Sequence, residues 1–134
     1  MVVAILLANQ DETVVHLVEA NARKCSFLSE VARETGAPVT IHNMRIEDLD
    51  PDNLETQPDV VTARALAPLA ELLDCARPFL AAPARGLFLK GRNTQKELEK
   101  AWEIFAFDAR VWPSCTDSDG RIVEITGVQP KDSE

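Results

Sequence analysis

The feature that most constrains the fold is an alternation of short β-branched runs with longer segments of helical spacing. Four runs, VVHLVE, VTIHNM, DVVTARAL and GLFLKG, are separated by stretches whose apolar residues recur every three or four positions. Such alternation is typical of βαβ units, in which parallel strands are joined by helices. The sequence therefore predicts an α/β fold with a mostly parallel sheet.

Three helices are expected among these runs. The first covers about 22–34, with Asn21 as its N-cap. The second covers about 68–80, with a proline at a plausible first position. The third begins with a capping box formed by Thr94 and Glu97, the spacing at which a hydroxyl and a carboxylate satisfy each other's backbone amides. Together they supply the crossover helices that parallel strands require.

The pattern changes after the third helix. Two further runs, DARVWPSC and RIVEITGVQ, are joined by TDSDG, which leaves no room for a helix between them. They predict a hairpin, and therefore an antiparallel pair at one edge of the sheet. Residues 129–134 are expected to form a frayed tail. No repeat or linker divides the chain, so 1–134 is expected to be a single domain.

Composition and cysteine spacing exclude several classes of protein. The formal net charge of −8 argues against nucleic-acid binding by general basicity, so any RNA contact would be local. Cys25, Cys75 and Cys115 lie far apart and form no CxxC pair, which predicts a reduced, cytoplasmic protein without a metal site. The apolar opening MVVAILLA is too short to span a membrane and lacks the flanks of a signal peptide. It is expected to end a buried helix or to form a core strand.

A single acid, Glu19, closes the run VVHLVE. In a doubly wound sheet, ligands bind at the carboxyl ends of the strands, where such an acid can accept hydrogen bonds from ribose hydroxyls. Alternatively, Glu19 caps the following helix or faces water. A glycine-rich turn normally lies about twenty residues before such an acid, whereas the first glycine here is Gly36. We therefore expect either a domain shortened at its N-terminus, without the first strand and glycine-rich loop, or a different protein.

Further candidates follow the next strands. Ile46 and Glu47 come after VTIHNM, where a backbone amide beside a carboxylate can hold the edge of an adenine; Glu47 can equally be an ordinary loop acid. Arg64 ends an apolar strand, and a buried cation there needs a carboxylate partner from a ligand or from the protein. Lys90 and Arg92 flank a glycine after GLFLKG, where they can meet a phosphate backbone or simply form a solvated basic loop.

Four blocks, VVHLVEANARKCSFL, VTIHNMRIEDL, DVVTARALAPL and GLFLKGR, resemble the bacterial small-subunit (16S) ribosomal RNA guanine-N7 methyltransferases, the glucose-inhibited division protein B family. The likeness extends over nearly the whole chain. It implies a Rossmann-like class I S-adenosylmethionine-dependent methyltransferase fold and methyl transfer to N7 of a guanine. It also implies S-adenosyl-L-methionine as methyl donor, and small-subunit rRNA or the assembling subunit as partner. Neither membrane, metal nor oligomer is expected for the complete enzyme.

The resemblance also suggests roles for individual residues. Glu19 matches the acid near the cofactor ribose, Ile46 and Glu47 the pair beside the adenine, and Arg64 a cofactor-site arginine. Lys90 matches a basic residue near the active cleft, and Arg92 lies beside it as a possible RNA or substrate contact. The family's glycine-rich loop, first strand and preceding helices have no counterpart here. No catalytic side chain is assigned.

Two other functions are compatible with the sequence. The first is a non-catalytic, methyltransferase-like fragment that folds marginally or associates through exposed apolar surface. The second is a nicotinamide-dependent oxidoreductase in which Glu19 would hold the adenosine ribose. The second function would require the same glycine-rich loop, and the chain has no tyrosine to serve as its catalytic acid.

Overall fold

The computed structural model describes residues 13–54, 56–64 and 67–131. In chain order, the helices and strands are β1 (Val15–Glu19), α1 (Ala22–Thr35), β2 (Val39–Asn43), β3 (Val60–Arg64), α2 (Leu69–Ala76), β4 (Arg85–Lys90), α3 (Thr94–Ile104), β5 (Phe105–Pro113) and β6 (Arg121–Pro130). Short 3₁₀ turns follow β2, precede β3 and extend α2. A strand therefore forms at each of the six predicted runs. The apolar opening MVVAILLA lies outside the described residues.

The chain forms two compact units, an N-terminal unit, Met1–Asp50, and a C-terminal unit, Pro51–Glu134. In the N-terminal unit, β1 and β2 pair in parallel, and the last pair in register is Glu19 with Asn43. Helix α1 connects them. It begins where the Asn21 side chain accepts a hydrogen bond from the Lys24 N–H at 3.0 Å, and it ends at Gly36, whose φ of 69° is left-handed.

The C-terminal unit contains a four-stranded sheet in the order β3-β4-β6-β5. Strands β3 and β4 are parallel, whereas β6 runs antiparallel to both β4 and β5. The predicted hairpin is confirmed, and its second strand, rather than its first, adjoins the parallel pair. The ladder shifts register near Gly127, whose φ of 66° suits a bulge. Because β6 continues through Pro130, it extends two residues into the expected tail; residues 132–134 lie outside the described ranges.

Helices α2 and α3 pack on one face of this sheet and enclose the core. The fully buried side chains there include Leu69, Leu73, Phe88, Leu98, Val123 and Ile125. Strand β3 shows the alternation expected of a sheet with one covered face: Val61 and Ala63 pack against the core, while Val60, Thr62 and Arg64 are exposed. The apolar residues at helical spacing in the second predicted helix are all buried: Leu69, Leu72, Leu73, Ala76 and Phe79.

Two local helix predictions are wrong. The second helix ends at Ala76 rather than near residue 80, because Pro78 lacks an N–H and would clash with the preceding helical turn. It lies in the 3₁₀ turn Arg77–Phe79 instead. The capping box does not form either: the Thr94 hydroxyl donates to the Gly91 carbonyl at 2.6 Å. The Glu97 carboxylate instead accepts a hydrogen bond from the Leu69 N–H of α2, at 2.9 Å.

Within 13–54, 56–64 and 67–131, no helix has the length and apolar character needed to cross a membrane. The same residues contain no group of three or more His, Cys, Asp or Glu side chains arranged to hold a metal ion.

Candidate functional site

Glu19 lies at the carboxyl end of β1 with its two oxygens in different surroundings. Its Oε2 accepts a hydrogen bond from the Asn21 N–H at 3.1 Å, while Oε1 lies 3.9 Å from the Lys24 ammonium. The side chain is 29% exposed. The carboxylate therefore supports the entry to α1, as the alternative interpretation expected, and also stays accessible. One oxygen is oriented by the backbone, and the other has only a long, solvent-screened ion pair.

The backbone at this strand end is held by two further side chains. The buried Cys25 thiol donates to the Glu19 carbonyl at 3.2 Å. The orientation of the Asn43 amide is assigned from its surroundings: with its nitrogen facing β1, it donates to the carbonyls of Glu19 and Ala20 at 3.3 and 3.1 Å. Sequence reasoning did not identify Asn43. The available signal was its position, since it ends the run that follows the one closed by Glu19.

Ile46 and Glu47 lie in the 3₁₀ turn Ile46–Asp48, directly after β2. Ile46 is half-buried, and Glu47 is exposed with its carboxylate 3.8 Å from the Arg45 guanidinium. Since β1 and β2 are parallel and end in register, this turn follows the same strand ends as Glu19. The structure thus brings three of the predicted residues, Glu19, Ile46 and Glu47, to one end of the N-terminal unit.

Arg64 ends β3 in the C-terminal unit, in register with Leu89 of β4. Its side chain is exposed on the sheet face opposite the helices. In the part of the chain that the structure describes, no carboxylate pairs with it. The carboxylate partner expected for a buried cation is not needed here, because the Arg64 side chain is exposed to solvent. Its guanidinium therefore has exposed donors at a strand end.

Lys90 and Arg92 occupy very different surroundings despite their closeness in sequence. The Lys90 side chain is only 6% exposed and lies on the core face of β4, where its ammonium contacts Glu97 at 3.0 Å and the Ala67 carbonyl at 2.6 Å. The Arg92 side chain is 80% exposed and pairs with Asp119 at 2.8 Å. Lys90 and Arg64 therefore end neighbouring parallel strands but point to opposite faces of the sheet.

An open cleft with a volume of about 410 Å³ lies beside Arg92. Among the residues that line it are Gly91, Arg92, Thr94, Val111, Asp119 and Arg121. Arg121 already donates to the carbonyls of Ser118 and Gly120, at 3.1 and 2.8 Å. Apart from Gly91 and its two chain neighbours, no described residue has an atom within 4 Å of the position that a Cβ at Gly91 would occupy. This edge of the C-terminal unit is therefore open, and Arg92 is its most accessible cation.

The chain matches a family model and curated relatives over most of its residues. The model described as rRNA small subunit methyltransferase G matches residues 1–122. A Ribosomal RNA small subunit methyltransferase G from Methylorubrum extorquens is 50% identical over 118 residues, covering 88% of this chain and 55% of that protein. The one from Parvibaculum lavamentivorans is 45% identical over 134 residues, covering 100% of this chain and 58% of the relative. The chain thus spans slightly more than half the length of these relatives.

A likeness to solved structures supports the fold. M. jannaschii TYW2 in complex with AdoMet has a TM-score of 0.60 at 15% identity, covering 95% of this chain and 63% of that one. The predicted Rossmann-like class I methyltransferase fold is thereby confirmed. The ordered sequence blocks, the α/β architecture and the family match agree: this chain belongs to the rRNA small subunit methyltransferase G family.

Proposed function

We propose that this chain is an S-adenosylmethionine-dependent methyltransferase that modifies N7 of a guanine in small-subunit (16S) rRNA. The observation that carries the proposal is the arrangement at the end of β1. There Glu19 is oriented by the Asn21 N–H and remains accessible beside the 3₁₀ turn that contains Ile46 and Glu47. An oriented acid at the carboxyl end of a parallel strand is the usual element for holding a nucleoside ribose.

The N-terminal unit would bind the adenosine part of S-adenosylmethionine. Because Oε2 of Glu19 is engaged by the backbone, Oε1 is the oxygen that would accept hydrogen bonds from the ribose hydroxyls. Ile46 would pack its half-buried side chain against the adenine, and the turn at Glu47 would meet the polar edge of the ring. The hydrogen bonds that the Cys25 thiol and the Asn43 amide donate to the Glu19 carbonyl would keep the backbone of this acid in place.

Arg64 would bind the carboxylate of the cofactor's methionine end. Its exposed guanidinium has two or more donors available for a bidentate contact with a carboxylate.

The transfer itself would need no general base. N7 of guanine carries a lone pair and no proton, and the sulfonium group is already an activated methyl donor. Catalysis would then depend on placing N7 in line with the methyl group, a contribution of up to about 7–11 kcal/mol in well-oriented systems. The role of the protein is therefore to position both reactants and to exclude competing orientations.

RNA binding would involve local cations rather than the whole surface, because the chain carries a net charge of −8. Arg92 is better suited to contact a phosphate than Lys90, whose ammonium is enclosed between Glu97 and the Ala67 carbonyl. The partner would be naked small-subunit rRNA or the assembling subunit, and the reaction would take place in the cytoplasm.

Isothermal titration of this chain with S-adenosylmethionine tests the proposal, combined with transfer of a labelled methyl group to 16S rRNA and mapping of the modified atom. Arg64→Ala should weaken cofactor binding at least about tenfold. Lys96→Ala, on the exposed surface of α3, should have no effect. Equal affinities in the two variants would remove Arg64 from the site.

The same titration separates the alternatives. A molecular mass that rises with protein concentration, together with no cofactor binding, would indicate the non-catalytic fragment. Preference for NADH over S-adenosylmethionine would indicate the oxidoreductase. The family match over residues 1–122 favours the methyltransferase over both alternatives.

A further inference from the structure

Lys90 and Glu97 form the most enclosed ion pair among the described residues. Lys90 Nζ lies 3.0 Å from Glu97 Oε1, and the two side chains are 6% and 21% exposed. Lys90 is the last residue of β4, and Glu97 lies in the first turn of α3. The other ion pairs in the described ranges each include a side chain that is more than half exposed.

Both members of this pair also bind the backbone at the entry to α2. Lys90 Nζ donates to the Ala67 carbonyl at 2.6 Å, and Glu97 Oε1 accepts from the Leu69 N–H at 2.9 Å. Leu69 is the first residue of α2, and the preceding Pro68 provides no side-chain cap. Since the first N–H groups of a helix have no partner within it, Glu97 supplies from another helix the acceptor that an N-cap usually provides.

The polarity of the pair is fixed by these backbone contacts. The cation faces a carbonyl oxygen, and the anion faces an N–H at the positive end of a helix. Exchanging the two charges would preserve their mutual attraction but direct a carboxylate at the Ala67 carbonyl and an ammonium at the Leu69 N–H. The backbone contacts therefore determine which position must carry the cation and which the anion, a requirement that an isolated ion pair does not have.

We infer that Lys90 and Glu97 are positioning residues that hold Ala67 and Leu69 in one conformation at the carboxyl end of β3, shortly after Arg64. Because the Lys90 side chain is only 6% exposed, it acts on this segment instead of contacting the RNA. The consequence for methyl transfer rests on the proposed function, whereas the anchoring of α2 rests on the distances alone.

Hydrogen exchange of the intact chain tests the anchoring. In Lys90→Met and Glu97→Gln, the Leu69 amide should exchange about tenfold faster. Lys90→Met removes the cation that holds the acceptor carboxylate in place, and Glu97→Gln replaces that carboxylate with a weaker, neutral acceptor. The amides of Phe88 and Val123 should keep their protection and so report an intact sheet. Lys96→Met and Glu103→Gln, which change exposed side chains on α3, are matched controls. Unchanged Leu69 exchange in both test variants would overturn the inference.

Charge exchange provides a second and sharper test. The Lys90→Glu/Glu97→Lys double variant should not restore the protection of Leu69, whereas return of that protection to the wild-type value would show a simple ion pair without orientation. Lys90→Arg keeps both the charge and the donors, so it should hold Leu69 exchange within about threefold of wild type. A tenfold increase in Lys90→Arg with an intact sheet would likewise contradict the inference.

Steady-state methyl transfer tests the consequence for the reaction. Lys90→Met should lower kcat about tenfold while leaving KM for S-adenosylmethionine within about twofold, since a misplaced segment impairs alignment more than cofactor binding. An unchanged kcat despite faster Leu69 exchange would overturn the positioning role. If the unsubstituted chain transfers no methyl group, the proposed function fails for this chain, and Leu69 exchange alone decides whether the pair anchors α2.

Discussion

The Asn21 backbone N–H donates to Glu19 Oε2 at 3.1 Å, while the Asn21 side chain accepts from the Lys24 N–H at 3.0 Å. One residue therefore orients the candidate ribose-binding acid and also caps α1. The start of the helix and the direction of the carboxylate are coupled through a turn of only two residues. A change at Glu19 that keeps the acceptor should affect ligand binding far more than folding.

Glu19→Gln is the first test of this coupling. The amide keeps one oxygen for the Asn21 N–H but replaces the oxygen proposed to accept from the ribose hydroxyls with a donor. We expect S-adenosylmethionine affinity to fall at least about tenfold. The free energy of unfolding should change by less than about 0.5 kcal/mol, as for most exposed substitutions. Calorimetry and thermal unfolding measure the two quantities. Glu30→Gln on α1 is the control, and equal cofactor affinity in both variants would remove Glu19 from the site.

Asn43 provides a test of the direction of its hydrogen bonds, in which its amide is the donor. Its amide donates to the carbonyls of Glu19 and Ala20, so Asn43→Ala removes two hydrogen bonds, whereas Asn43→Asp directs a carboxylate at two carbonyl oxygens. Asn43→Ala should therefore lower the free energy of unfolding by about 1 kcal/mol, and Asn43→Asp should lower it further. Urea denaturation measures both effects. If Asn43→Asp were the more stable of the two variants, the amide would not donate to this turn.

The sequence predicted most of the fold because the spacing of apolar residues and the residues that begin or end a helix are local signals. Alternating β-branched runs identified the six strands, and Asn21 and Gly36 marked the ends of α1. The position of Glu19 at the end of a parallel strand followed from the same pattern. Helix α2 is shorter than its run of apolar residues suggests, because Pro78 ends the α-helical hydrogen bonding before that run ends.

The surroundings of Lys90 could not be predicted, because they depend on contacts distant in sequence. Spacing alone suggested that Glu97 caps its own helix with Thr94, yet its carboxylate reaches Leu69, 28 residues away. The sequence suggested that Lys90 is exposed like Arg92. Because successive side chains of β4 point to opposite faces of the sheet, Lys90 instead lies on the face that packs against the helices. A strand ending in Lys-Gly-Arg carries no local sign of which cation is buried.

Gly86 illustrates a steric limit that sequence also does not show. A Cβ at this position would lie 2.6 Å from the ring of Phe88, which is fully buried between the sheet and its helices. Gly86→Ala should therefore destabilise the protein by about 1–3 kcal/mol through overpacking. Gly91→Ala is a suitable control, because nothing lies within 4 Å of its added Cβ. Thermal unfolding of both variants should show a lowered midpoint for Gly86→Ala alone, and equal midpoints would mean that the Phe88 ring moves aside at little cost.

Substitutions of Arg92 and Asp119 should change the affinity for RNA in opposite directions. Their side chains pair at 2.8 Å on the exposed edge of the C-terminal unit, so Asp119 competes with a phosphate for the same guanidinium. Arg92→Ala should weaken 16S rRNA binding and reduce the slope of log K against log salt by about 1. Asp119→Asn should instead strengthen binding, because it releases Arg92 and removes a negative charge near the RNA. Filter binding across a salt series measures both effects.

Arg33→Ala on α1, which removes another exposed, ion-paired arginine, serves as the control. If Arg92→Ala and Arg33→Ala gave the same slope as the unsubstituted chain, Arg92 would not contact the RNA.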